Sequence, residues 1–330
     1  MFRRAAALAA LTFGTVLTAP AAHAAEPCTW TVQKVPTPGG FEARYTRVEG
    51  TDSHGGYSGT VTDLSVNMAR VVLWTDGQPR IPAALANFVY PSVADENSAG
   101  TVLLSGSLPS TDFGVYLFAD GHRGPGTLTR LPTPDGYRVE SAVALNERGD
   151  VLASGSATAD GHPVSILWST FAAGPLVIDT PAGSGIDLDD DGTVLLAPRD
   201  GKPGSLWRHG QVIPLTGEDH FLLLRAIRNG VVVGTAVDAW PASRALAWHG
   251  PDDPRPLERG GTAEAVNAHG LIAGSLTDLT GLPAVWQDTE LLGALPVPDG
   301  VDADLFVVGD DGVVYGTTGS DYGPLRWSCG

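Results

Sequence analysis

The chain has 330 residues, a formal net charge of −17 and 43% hydrophobic residues. That apolar fraction excludes an intrinsically disordered chain. The acidity excludes nucleic acid and anionic lipid as partners, because a surface of this sign repels phosphate.

In chain order, the first expected element is an export signal at 1–24. Arg3 and Arg4 form a positive n-region, Ala5 to Leu17 a short apolar run, and Ala22-His23-Ala24 a small-residue cleavage site. The run is too short to span a bilayer. The expectation is an extracellular, monomeric product with no membrane insertion, folded as a single domain over 25–330. Its first segment, Trp30 to Val35, reads as a strand ending in V-P-T-P, with no companion strands before it.

From there a unit recurs. "VALNERGDVLASGS" returns in degenerate form as "VADENSAGTVLLSGS", "IDLDDDGTVLL", "RAIRNGVVVGTA", "AVNAHGLIAGS" and "VVGDDGVVYGT", with "GTDSHGGYSGT" as a weaker first copy. The aligned turn glycines are Gly55, Gly100, Gly149, Gly192, Gly230, Gly270 and Gly312, spaced 45, 49, 43, 38, 40 and 42 residues apart. Each is followed 15 to 19 residues later by an aromatic: Trp74, Phe118, Trp168, Trp207, Trp248, Trp286 and Trp327.

Each unit reads as four strands. The first ends at Asn or Asp (Asn97, Asn146, Asp189, Asn267), and the glycine supplies the positive φ of a tight hairpin. The third carries the aromatic, and the fourth ends near proline. Helical periodicity is absent after the signal. Four-stranded units of this length predict an all-β, seven-bladed β-propeller, in which stacked blades bury the faces that one sheet cannot. The repeated Trp is then wedge material between blades.

The pattern N-x-x-G-x-V-x-G-S followed by "LW" or "VW" resembles the HAF-type extracellular repeat proteins, best in "ALNERGDVLAS…ILW" and "AVNAHGLIAGS…AVW". The resemblance implies a secreted repeat protein of propeller type and brings no catalytic residues with it.

The last unit stops after three strands, and the N-terminal strand has no unit of its own. The N-terminal strand is therefore expected to complete the last blade. Cys28 and Cys329, the only cysteines, then flank the missing turn and should form a disulfide, which export permits.

Two polar features are candidate sites. Asp187, Asp189 and Asp191 give D-x-D-x-D-G, the opening of a calcium loop, but the twelfth position is Pro198 rather than a bidentate Glu. Calcium is therefore the one cofactor considered. The second feature is an Asp in each loop between strands two and three: Asp63, Asp112, Asp160, Asp200, Asp238, Asp278 and Asp321. With Arg199, Lys202, Trp240, Arg244 and Tyr322 they would surround a ligand on the face carrying the strand 2–3 and 4–1 loops. Asp160, Asp200, Lys202, Asp238, Trp240, Arg244 and Tyr322 are the candidate ligand-binding set. No metalloprotease, nucleophile-elbow or phosphate-loop motif is present, so no catalytic residue is assigned. The functional expectation is a secreted binding or interaction module for a protein, glycan or small molecule. An extracellular lyase or hydrolase with its site at the mouth of the central channel is the alternative.

Overall fold

A computed structural model of the chain describes residues 28–170, 172–199, 203–216, 221–239, 242–277, 281–318 and 321–330. The expected signal at 1–24 lies outside the described residues, as do Asp200, Lys202, Trp240 and Asp278.

The described residues form seven antiparallel sheets of four strands each. Blade 7 takes its outer strand from the N-terminus, β1 (Trp30–Lys34). Blade 1 is β2 (Thr46–Thr51), β3 (Tyr57–Asp63), β4 (Met68–Thr75) and β5 (Gln78–Arg80). Blade 2 is β6 (Val89–Glu96), β7 (Val102–Ser107), β8 (Gly114–Ala119) and β9 (Thr127–Arg130). Blade 3 is β10 (Tyr137–Leu145), β11 (Val151–Ala157), β12 (Pro163–Trp168) and β13 (Leu176–Ile178). Blade 4 is β14 (Gly185–Leu188), β15 (Val194–Leu196), β16 (Ser205–Arg208) and β17 (Gln211–Pro214). Blade 5 is β18 (Phe221–Arg228), β19 (Val231–Ala239), β20 (Ala242–Trp248) and β21 (Pro254–Pro256). Blade 6 is β22 (Gly260–Val266), β23 (Leu271–Leu276), β24 (Pro283–Gln287) and β25 (Glu290–Ala294). The remaining strands of blade 7 are β26 (Ala303–Val308), β27 (Val314–Thr318) and β28 (Leu325–Cys329). First strands touch those of the next blade, and β26 touches β2, so the ring is closed.

Local chemistry accounts for these hairpins. All seven turn glycines have positive φ, between 72° and 96°. In blade 5 the turn is Asn229-Gly230 with φ of 48° and 77°, between the paired residues Arg228 and Val231. That is the two-residue geometry whose twist matches the strands it joins.

The second strands read as unbroken apolar runs because both of their faces are covered. In β11, Val151 and Ala153 pack toward blade 2, while Leu152 packs toward blade 4. Seven core clusters result, one at each seam between blades.

The repeated tryptophan sits in these seams and ties them. The indole N–H of Trp74, Trp168, Trp248, Trp286 and Trp327 donates to Pro36, Pro132, Thr216, Glu258 and Pro296 respectively. Each acceptor is a carbonyl just beyond the fourth strand of the preceding blade. The polar tip of a buried indole is thereby satisfied while its ring fills the seam.

The expected closure is present. β1 pairs antiparallel with β28, Trp30 opposite Cys329, and Cys28 is bonded to Cys329 with the Cα atoms 5.6 Å apart.

Candidate functional site

Every first strand carries a β-bulge where it pairs with the second strand. The extra residue at the aligned bulge is Glu49, Ala94, Val143, Ile186, Arg225, Glu264 and Phe306 in blades 1 to 7. A bulge leaves one residue unpaired and re-aims its side chain. Glu49, Ala94, Val143, Ile186, Arg225 and Glu264 all line a central cavity of about 230 Å³. In blades 1 to 6 the fold thus presents one chemically variable residue to the channel.

The cavity opens among the strand 1–2 hairpins, whose Ser53, Glu147, Asp190 and Asp310 form its rim. Below the rim, Asp95 and Asp187 stand directly after the bulged residue of blades 2 and 4. Each accepts the backbone N–H of the next blade's first strand, Leu145 at 3.0 Å and Ile227 at 2.6 Å. Arg228 of blade 5 reaches both carboxylates, Asp187 at 3.2 Å and Asp95 at 3.4 Å, and donates to the carbonyls of Leu188 and Ile227. Deeper in the channel, toward the strand 2–3 loop end, Arg225 pairs with Glu264 at 2.9 Å.

Burial governs the titration of these groups. It pushes Asp95 up to about 6, against the opposing pull of Arg228. It pushes Glu49 up to about 7, although the Thr60 hydroxyl donates to it at 2.9 Å. Glu264 is also raised by burial, with Arg225 pulling the other way. Perturbed carboxyls in a cleft are a mark of functional sites. The two cavity arginines each pair with carboxylates, whereas among the described residues Glu49, Glu147, Asp190 and Asp310 make no close salt bridge to arginine, Arg47 acting on Glu49 and Asp190 on Arg228 only at longer range. The mouth is therefore acidic.

A ring of hydrogen bonds holds that mouth. Asn146 accepts from the N–H groups of Arg148 and Asp150 in its own turn and donates to the carbonyl of Asp189 in the next blade at 3.1 Å. Asn267 repeats the arrangement, donating to Gly309 at 2.9 Å, and Asn97 donates to Asn146 at 3.4 Å. The Asn of the sequence repeat is thus both a turn cap and a strut between blades.

Of the residues singled out in the sequence, Asp187 lines the channel, and it works with Asp189 and Asp191 to fasten a hairpin. All six carboxylate oxygens of Asp187, Asp189 and Asp191 face N–H donors. Asp187 serves Leu188, Ile227 and Arg228, and Asp189 serves Asp190, Asn229 and Gly230. Asp191 serves Thr193 and Arg208. The three side chains diverge to fasten a turn, which is not the convergent arrangement of a calcium loop.

In the loop set, Asp160 accepts the N–H of His162 at 2.9 Å and so shapes its own turn. Asp238 lies at a bulge of β19, Arg244 lies on β20 opposite Ala236, and Tyr322 stacks under the Lys34 ammonium at 5.0 Å. Asp160, Arg244 and Tyr322 belong to blades 3, 5 and 7, and none of these three lines the central cavity. On that loop end, a cavity of about 320 Å³ is lined instead by Arg225, Thr262, Glu264, Ser275, Gly281 and Asp304, among others.

No protein-family model matches the chain, and no curated protein matches it in sequence. Among solved structures, the propeller domain of the trilobed protease from Pyrococcus furiosus is similar, with a TM-score of 0.56 at 9% identity over 77% of this chain and 86% of that one. That propeller is described as having an open velcro topology, whereas here β1 closes the ring. A prolyl endopeptidase is similar with a TM-score of 0.56 at 12% identity over 87% of this chain, and an acylaminoacyl peptidase with 0.53 at 12% over 83%. The chain spans about half the length of those two peptidases, 51% and 50%. At these identities the likeness is one of fold: the chain is a seven-bladed β-propeller.

Proposed function

We propose that this propeller is an exported binding module that holds a cationic group in the acidic mouth of its channel. The observation that carries the reading is the bulge column. In six blades a repeated scaffold aims one residue into the cavity and varies that residue from Glu to Arg to Ile, as a selective site requires. Glu49 and the rim carboxylates then supply negative charge in a confined space, where it acts over a shorter, less screened path than on an open surface. Export is supported by the composition of residues 1–24 and by the Cys28–Cys329 bond, which an oxidising compartment allows to persist. Kinship with HAF-type extracellular repeat proteins is part of the same proposal.

Calorimetric titration with spermidine, against citrate as an anion of similar size, tests it. The expected result is one saturable, salt-sensitive site for spermidine. Bound cation lowers the carboxyl pKa values, so protons should be released near pH 6.5. Binding of citrate in preference to spermidine would overturn the reading.

A second reading, an extracellular lyase or hydrolase, is favoured by one observation: Glu49 titrates at about 7, where a carboxyl can exchange protons with a substrate. Turnover of a glycan or peptide that is lost in Glu49→Gln would support it.

A further inference from the structure

Beside the channel, whose cavity Glu96 helps to line, three ligand-type side chains converge on the seam between blades 1 and 2. Asp52 comes from the first hairpin of blade 1, Glu96 from the end of β6, and His122 from the loop joining β8 to β9. One candidate ligand atom from each lies within 4.8 Å of the others. The Glu96 side chain is fully buried and His122 is 8% exposed.

Three details distinguish this cluster from an ordinary ion pair. First, Glu96 Oε1 meets His122 Nε2 at 2.6 Å, while Oε2 is buried with only the Ser58 hydroxyl to serve it, and that contact lacks the geometry of a full hydrogen bond. A carboxylate oxygen sealed from water without a full partner is costly to keep. Second, the other ring nitrogen of His122, Nδ1, is held by Thr75 Oγ1 at 3.1 Å. A metal-binding imidazole is usually fixed in this way through its second nitrogen. Third, Asp52 Oδ1 accepts the N–H groups of His54 and Gly56, each at 2.8 Å, which fixes the carboxylate and leaves Oδ2 to serve another partner. Arg80 stands nearby, with its guanidinium tied to the carbonyls of Gly121 and Gly124.

We propose that Asp52, Glu96 and His122 form a divalent-cation site of the zinc type, which clamps blade 1 to blade 2. One imidazole nitrogen with two carboxylates is a donor set that suits zinc, with an open position left for water. Entry of the ion replaces the proton shared by Glu96 and His122, which leaves to solvent, and the imidazole then ligates through neutral Nε2. The ligand atoms must spread from 2.6 Å on one edge and close from as much as 4.8 Å on another, so binding should draw the two blades together. This inference is independent of the channel reading, since organic cations do not replace a proton between two ligand atoms.

The test uses untagged full-length protein stripped with chelator and titrated with zinc chloride at pH 7.5. One tight equivalent is expected, with proton release and a rise in Tm. His122→Ala and the near-isosteric Glu96→Gln should each weaken it by about 100-fold or more, the upper range for disturbing a metal's ligand shell. His162→Ala, which breaks only the exposed pair with Asp179, should change nothing. Cobalt substitution supplies a readout besides stability: visible absorption bands in the wild type that vanish in His122→Ala. Absence of a tight equivalent, or one that survives both substitutions, would overturn the site and leave Glu96 and His122 as an ion pair.

Discussion

Arg228 and Asp95 meet across the channel, 3.4 Å apart, although they belong to blades 5 and 2 of a seven-membered ring. The contact crosses the channel below the acidic rim. Arg228 is held above its ordinary pKa, its burial being outweighed by Asp187 and Asp95. It is thus a fixed cation that neutralises two of the channel's carboxylates and leaves the mouth above it negative.

Replacing Arg228 by Met should strand Asp95 and Asp187 without a counter-charge. The two partners are only about a fifth exposed, so the cost should approach that of breaking a buried pair, about 2–3 kcal/mol at pH 8 after allowance for solvent screening. Asp95, already near 6, should rise further and take up a proton in mild acid, so the penalty should shrink at pH 5. Urea unfolding at the two pH values reads this directly. An equal penalty at both would show that Asp95 does not feel Arg228.

Glu49 predicts the opposite trend in the wild type. Its folded pKa, about 7, lies above the 4.5 of a solvent-exposed glutamate because of burial. Relative to the ionised state, it contributes stability that is fully present below about pH 4.5 and lost as pH rises through 7. Glu49→Gln should therefore be more stable than the wild type at pH 8 by about 1–3 kcal/mol, and equal to it near pH 4. Denaturation curves that stay parallel across this range would contradict the assignment.

Asn146→Ala should remove the strut to Asp189 and the cap on the 146–150 turn together. Several buried N–H and C=O groups then lose partners, and the expected loss is about 2–3 kcal/mol. Hydrogen exchange should quicken first at Arg148 and Asp150, whose amides Asn146 accepts.

Much of the fold was legible because seven copies repeat the same three marks: turn glycine, aromatic and terminal proline. Physics imposes these at each blade, on the hairpin, the seam and the outer edge, so they recur. The channel residues were not legible for the converse reason. Glu49, Ala94, Val143, Ile186, Arg225 and Glu264 stand five or six residues before their turn glycines, in a column whose defining property is that it differs from copy to copy. Attention to recurring residues instead picks out the loop aspartates, of which Asp63 and Asp160 shape their own turns. The bulge that gives the variable column its meaning has no fixed residue and shows only in the register of paired strands. Asp187, Asp189 and Asp191 present a related difficulty. Their spacing is that of calcium ligands, but successive residues of a strand end and turn send their side chains in different directions, toward amides of the neighbouring blade and of the turn itself.

Removing the clasp with Cys28→Ser and Cys329→Ser should loosen blade 7 before the rest. The bond joins positions 301 residues apart, for which chain entropy gives an upper bound of about 5–6 kcal/mol. The five-residue pairing of β1 with β28 remains in the variant, so the ring should still form. Faster exchange confined to β1 and β28 is the expected signature, and global unfolding at ambient temperature would show that the bond carries more than closure.

The most direct test of the account sets the two ends of the channel against each other. Spermidine affinity is measured for the wild type, for Glu49→Gln combined with Glu147→Gln and Asp310→Asn, and for a loop-face variant combining Asp160→Asn with Asp238→Asn. The account predicts at least a tenfold loss, about 1.4 kcal/mol, in the first variant and none in the second. Unchanged binding in the mouth variant, with loss in the loop variant, would contradict it and place the site on the strand 2–3 face.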